Sequence, residues 1–207
     1  MDHSIKVILF DLGNVLVDVD YSIAAKRISR FCDTTPKEII TRLLGSEVTC
    51  LFEEGKISPE SFYSKIKEMF NLNLSYRMFV NIWNEVFFLS SKNRFVYALA
   101  NNLKLNYRVA ILSNINVLHY EYLKKHFPVF GIFHAVFTSC SMGLIKPNPE
   151  IYRQALAALK VSPSEVFYTD DREDLIKHAS SLEINSFIFK DAKKLKQDLL
   201  ECGIILS

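Results

Sequence analysis

Residues 7–20 read VILFDLGNVLVDVD. Four apolar residues run without polar alternation into Asp11, the pattern of a strand buried on both faces. A carboxylate ending such a strand needs a partner or a task, because an unpaired buried charge is costly. Gly13 and Asn14 come next as a turn pair, then VLV and two more aspartates, Asp18 and Asp20.

The same kind of run recurs at YRVAIL (107–112), HAVFT (134–138), VFYT (166–169) and NSFIF (185–189), with the first run extended as IKVILF (5–10). Each is rich in β-branched and aromatic residues. Helical patterns near 90–104, 115–126, 149–160, 172–182 and 191–201 separate them, and Asn148-Pro149 reads as an N-cap followed by proline at the first helical position. Strand and helix in alternation predict an α/β fold with a doubly wound, Rossmann-like parallel sheet.

The first two strands lie too far apart for a single crossover helix. The intervening segment, 17–89, reads as almost purely helical. Thr35-Pro36-Lys37-Glu38 forms a capping box with proline at its first helical position, Ser58-Pro59-Glu60 starts another helix, and Gly55 in FEEGKISPE is its strong turn signal. The expected organisation is a core of residues 1–16 and 90–207 and a small α-helical insert, 17–89, placed over the carboxyl ends of the strands.

Composition narrows the class. The 207 residues are 49% hydrophobic and 23% charged with a net charge of +2, which suits a globular protein and gives no basic surface for nucleic acid. No apolar run is long enough to span a membrane, and the N-terminus does not read as a signal peptide. Cysteines 32, 50, 140 and 202 show no metal-binding spacing and are expected to be reduced thiols in the cytoplasm.

Open parallel sheets bind ligands beyond the carboxyl ends of their strands. The residues at those ends are therefore informative: Asp11 after the first run, Ser113-Asn114 after the second, Lys146 in the loop after the third, and Asp170-Asp171 after the fourth. Together they suit phosphoryl transfer. A carboxylate can attack phosphorus, hard oxygen ligands suit Mg²⁺, and a lysine with a hydroxyl can hold phosphate oxygens.

FDLGNVL, LSN (112–114), KP (146–147) and YTDDRED (168–174) together resemble, in order and position, the four motifs of the haloacid dehalogenase (HAD) superfamily. The resemblance covers the whole chain, and the helical insert is similar to that family's cap. It implies Asp11 as a nucleophile forming an aspartyl phosphate, Ser113, Asn114 and Lys146 as phosphate-binding groups, and Mg²⁺ on Asp11, the Gly13 carbonyl and Asp171. Asp170 falls in or next to that shell. Val15 fills the Thr/Val position of the first motif. Most HAD phosphatases carry an aspartate at the Gly13 position that protonates the leaving group and activates water. Glycine keeps the carbonyl and loses the acid, a function worth ~10²–10⁴-fold.

FDLGNVLVD, EEGKISPESF and LSNINVLH further resemble a bacterial subgroup that includes α-D-glucose-1-phosphate phosphatases, which also carry this glycine. A hemiacetal oxygen is a better leaving group than an ordinary alkoxide and needs less protonation. The implied substrate is a small phosphorylated metabolite such as a sugar phosphate, with no nucleic-acid or membrane partner. His119, one turn into the helix after the second strand, and Asp170 are candidates for the displaced acid/base role; a structural role is the competing reading of His119. Two rival functions remain, a metal-independent 2-haloacid dehalogenase and a catalytically weak phosphate-binding module. Asp18 and Asp20 read as hinge carboxylates, Asp174 as a helix-terminal acid or a support behind the metal ligands, Arg42 and Lys56 as surface ion-pairing residues or readers of a polar substrate group, and Trp83 with VFFL (86–89) as core of the insert or, in part, its substrate-facing side.

Overall fold

The computed structural model describes residues 4–206. In chain order its elements are β1 (Val7–Phe10), β2 (Asp18–Val19), α1 (Tyr21–Ile28), α2 (Pro36–Leu43), α3 (Glu47–Glu53), α4 (Pro59–Phe70), α5 (Tyr76–Asn84), β3 (Phe87–Phe88) and α6 (Ser91–Leu103). Then come β4 (Arg108–Ser113), α7 (Val117–His126), β5 (Ala135–Thr138), α8 (Ser139–Met142), α9 (Pro149–Leu159), β6 (Val166–Asp170), α10 (Glu173–Ser181), β7 (Asn185–Ile188) and α11 (Ala192–Glu201).

Five strands form one parallel sheet in the order β5-β4-β1-β6-β7, with β1 paired to β4 on one side and β6 on the other. The chain winds outward from β1 to β5, then returns to β6 and β7. Asp11 follows the central strand where the winding reverses, the position at which such sheets bind ligands. Successive strand residues point to opposite faces. Ile8 and Phe10 pack with Val96 and Leu99 of α6 and Leu195 and Leu199 of α11. Val7 and Leu9 pack on the other face with Ile151, Tyr152 and Ala155 of α9 and Ala179 of α10. The predicted strands and helices are all present, within a few residues of their expected ends.

Segment 17–89 has its own hydrophobic cluster, built from Ile28, Ile39, Phe52, Phe62, Ile66, Phe79 and Trp83. Its helix starts are those expected from the sequence: Thr35 and Glu38 form the reciprocal box, and Ser58 accepts from the Ser61 amide. Two details differ. The segment is not purely helical, because β2 and β3 pair antiparallel where the chain leaves and re-enters the sheet, Asp18 opposite Phe88 and Val19 opposite Phe87. A ladder of two residues leaves no periodic trace in sequence. Phe88 is also not core: it is exposed, while Phe87 beside it packs inward.

Asp18 and Asp20 serve this crossing. Asp18 accepts from Lys92 at 2.6 Å and from the Asn93 amide at 3.3 Å, tying the outgoing strand to the start of α6. Asp20 caps α1 by accepting from the Ser22 amide. The four cysteines are free and half-buried. No helix among the described residues is long and apolar enough to cross a membrane.

Candidate active site

Asp11, Gly13, Ser113, Asn114, His119, Lys146, Asp170 and Asp171, all chosen from sequence, line one cavity of about 500 Å³. Its floor is the carboxyl edge of the sheet. Its other wall comes from the helical segment, through Tyr21, Thr49, Cys50, Glu53 and Phe87.

Lys146 organises the floor. Its ammonium donates to Asp11 Oδ1 at 2.8 Å, Asp170 Oδ2 at 2.6 Å and the Leu112 carbonyl at 3.0 Å, which uses its three protons. The Tyr168 hydroxyl lies 3.1 Å from the same nitrogen and gives its own proton to Asp170. Lys146 is thus a buried, fully paired cation. Burial opposes its charge, yet Asp11 and Asp170 hold its pKa above the ordinary lysine range. The pairing leaves Asp11 Oδ2 without a hydrogen bond among the described residues, and this oxygen faces the space beside Gly13.

Asp11, Asp170 and Asp171 each place a carboxylate oxygen within 4.8 Å of the others. Among the described residues, Lys146 is the one ammonium bonded to this group. Burial, reinforced by Asp170 and Asp171, pushes the Asp11 carboxyl up, while Lys146 pulls the other way. Burial likewise raises Asp171, against a hydrogen bond from Asn14. Asp170 ends low, because Lys146, Tyr168 and the Arg172 amide outweigh the burial that would raise it. Crowded carboxylates with an uncompensated charge and hard oxygen donors fit a small divalent cation, and Mg²⁺ takes such donors. Asp11 and Asp171 are the groups that would hold it, and Gly13, which lines the same cavity, would offer its carbonyl; Asp170 already carries three donors.

Other residues act by holding these groups. Asn114 was expected to bind substrate. Its side-chain amide clamps the backbone of Lys146, donating to its carbonyl at 2.9 Å and accepting from its amide at 2.8 Å. The side chain therefore positions the lysine, and the second N–H of its amide has no acceptor among the described residues. Asn14, which sequence reading left as a turn residue, adopts φ +56° and donates to Asp171 Oδ2 at 2.8 Å. Asparagine tolerates that left-handed conformation better than most residues. Tyr168 also escaped notice, because as one apolar-looking residue within a strand it carries no local polar signal.

His119 does not have a nitrogen free for proton transfer. It is buried, with Nε2 3.0 Å from the Trp83 carbonyl and Nδ1 3.0 Å from the Asn116 amide nitrogen. The neutral tautomer with Nε2–H satisfies both. Burial depresses its pKa to about 4, so it stays neutral. Its ring stacks on Trp83 at a centroid distance of 5.2 Å and joins α7 to the helical segment. Arg42 donates to the Met69 carbonyl, Lys56 pairs with Glu54 at 2.9 Å, and Asp174 pairs with Arg172; Arg42, Lys56 and Asp174 lie outside the cavity lining.

The fold and this convergence define a class, and residues 5–179 match the haloacid dehalogenase-like hydrolases; the chain belongs to that family. It is 28% identical over 204 residues to a D-ribitol-5-phosphate phosphatase of Bacteroides thetaiotaomicron, covering 94% of this chain and 97% of the relative. A crystal structure of a HAD family enzyme from the same organism superposes with a TM-score of 0.82 at 26% identity, covering 94% and 98% of the two chains. Its complex with magnesium and inorganic phosphate gives 0.80 at 27% identity, over 91% and 96%.

Proposed function

We propose that this phosphatase hydrolyses monoesters of small polyhydroxylated metabolites, sugar or sugar-alcohol phosphates, through an aspartyl phosphate. The observation that carries the reading is the free Oδ2 of Asp11, held at the sheet edge by Lys146 and set among carboxylates suited to Mg²⁺. The cavity volume falls in the range of small-molecule sites, ~300–1,000 Å³. The D-ribitol-5-phosphate phosphatase relative supports a polyol ester as substrate.

In this mechanism Asp11 Oδ2 attacks phosphorus while Lys146 keeps Oδ1 anchored and its charge against the transferring group. Ser113, at the end of β4, offers a hydroxyl to an equatorial oxygen. Asn114 holds Lys146 in place through the backbone. Bound Mg²⁺ would offset phosphate charge and orient it toward Asp11. Water then attacks the aspartyl phosphate and frees Asp11. Much of the catalysis of a loose phosphoryl-transfer transition state is positioning and electrostatics, which this rigid floor provides. Segment 17–89 acts as a cap on the core of 1–16 and 90–207, shielding the reaction and contacting the alcohol.

The acidic cluster favours this reading over a metal-independent dehalogenase. The test is phosphate release from a panel of sugar and polyol phosphates with and without Mg²⁺. Turnover that requires Mg²⁺ and disappears in Asp11→Asn supports it. Full activity in Asp11→Asn, or halide release without metal, overturns it.

A further inference from the structure

The floor of the cavity supplies a nucleophile, a cation and metal-binding carboxylates, but among the described residues there is no group on it that moves a proton. Gly13 has no side chain, although a Cβ there would meet only Val19 Cγ2 at 3.5 Å and Asp11 Oδ2 at 3.9 Å, ordinary contacts. The gap is therefore not imposed by crowding. His119 has both nitrogens engaged, and Asp170 accepts from Lys146, Tyr168 and the Arg172 amide. Arg172 does not give up its proton, and Tyr21 is a half-buried phenol whose desolvation holds it far above neutrality.

One acid on the opposite wall is left. Glu53 ends α3 and faces the cavity. Its carboxyl makes no ion pair and no hydrogen bond among the described residues, in contrast to Glu54, which pairs with Lys56. Its backbone is held firmly. The Glu53 carbonyl accepts from the buried Ser139 hydroxyl at 2.6 Å, and Ser139 also accepts from the Ile115 amide, just beyond β4. Two residues on, Gly55 presses its Cα against the Cys140 carbonyl so closely that a Cβ would lie 2.4 Å from that oxygen. The end of α3 is thus pinned to α8, which leads into the Lys146 loop.

Resting on the phosphatase reading, we propose that Glu53 is the general acid and base that the Gly13 position lacks. As Asp11 Oδ2 bonds to phosphorus and the ester P–O bond breaks, the Glu53 carboxylic acid gives its proton to the departing alkoxide, leaving an alcohol and a Glu53 carboxylate. That carboxylate then takes a proton from the water whose oxygen attacks the aspartyl phosphate. The Asp11–phosphorus bond breaks, phosphate leaves, and Glu53 is again an acid. No proton or electron is left over. The groups facing Glu53 are Arg172 after β6, Tyr21 on α1 and Cys50 on its own helix. Burial, partly opposed by Arg172, pushes its carboxyl up to about 7, where a single group can serve both steps.

The experiment compares kcat/KM for an alkyl ester, D-ribitol 5-phosphate, with that for p-nitrophenyl phosphate, whose leaving group needs no proton. Glu53→Gln should lower the first by ~10²–10⁴-fold and leave the second within about threefold, since kcat/KM reports steps up to ester cleavage. The decline of alkyl-ester kcat/KM as pH rises through about 7 should vanish in Glu53→Gln and persist in Glu53→Asp. Adding Gly13→Asp to Glu53→Gln should recover alkyl-ester turnover. Equal losses on both esters with an unchanged pH profile would make Glu53 a binding residue and overturn the inference. So would full activity of a folded Glu53→Gln. Failure of the wild-type chain on both esters would instead overturn the phosphatase reading itself, and the inference with it.

Discussion

Gly55→Ala tests how the helical segment is seated on the sheet. Gly55 sits at φ +67°, where a side chain costs about 1–2 kcal/mol. Its added methyl would lie 2.4 Å from the Cys140 carbonyl oxygen, with backbone on both sides. Carbon and oxygen in close contact stand roughly 3.3–3.6 Å apart, so one backbone must retreat by about 1 Å. Overpacking of this kind typically costs about 1–3 kcal/mol. Gly203→Ala is the control, because Gly203 has nearly the same φ, +72°, and nothing within 4 Å of its added Cβ. Chemical denaturation should show Gly203→Ala losing only the conformational part, with activity intact. Gly55→Ala should lose more stability, and because Glu53 and its contact with Ser139 lie two residues away, alkyl-ester kcat/KM should fall by ~10²-fold, the effect of a ~1 Å misplacement in a catalytic site. Equal stability losses in the two variants, with full activity in both, would refute the close approach and the role given to it.

Three further outcomes are expected from the floor of the site. Asn114→Ala removes both hydrogen bonds on the Lys146 backbone and should cost about 1–3 kcal/mol in denaturant unfolding, with kcat falling more than KM rises; a KM effect alone would return Asn114 to direct substrate binding. His119→Gln should lower Tm while leaving the pH profile of kcat/KM unchanged, because His119 stays neutral with both nitrogens bonded; loss of a limb would restore its acid/base role. Asp11 and Asp171 have raised folded-state pKa values, so the metal-free fold binds more protons than the unfolded chain and loses stability as pH rises above about 4. Mg²⁺ should therefore raise Tm more at pH 8 than at pH 5, measured by thermal unfolding, and Asp171→Asn should abolish that increment; an unchanged increment would remove Asp171 from the metal site.

Much of this protein is written locally. The strands are readable at VILF, RVAIL and VFYT because burial on both faces leaves unbroken apolar runs. The helix starts at Thr35, Ser58 and Asn148 are readable because capping chemistry spans only three or four positions. Asp11, Ser113, Lys146 and Asp170-Asp171 stand out because each interrupts or follows such a run, and the topology of a parallel sheet then brings those ends to one edge.

What the side chains do at that edge depends on partners far away in sequence, and no local pattern encodes them. Asn14 and Asp171 are 157 positions apart, and Asn114 and Lys146 are 32 apart. Only the folded chain shows that the Asn114 amide clamps the Lys146 backbone, that His119 is closed on both sides, and that Tyr168 joins the Lys146 network. In sequence Glu53 is simply one of two adjacent acids in FEEG. Seating of α3 on Ser139 and Cys140 separates them, leaving Glu54 in an ion pair and turning Glu53 into the cavity. Residue types and element boundaries come from short-range periodicity and capping, whereas hydrogen-bond assignment, burial of charge and the approach of the helical segment are set by long-range packing, which exists only once the chain has folded.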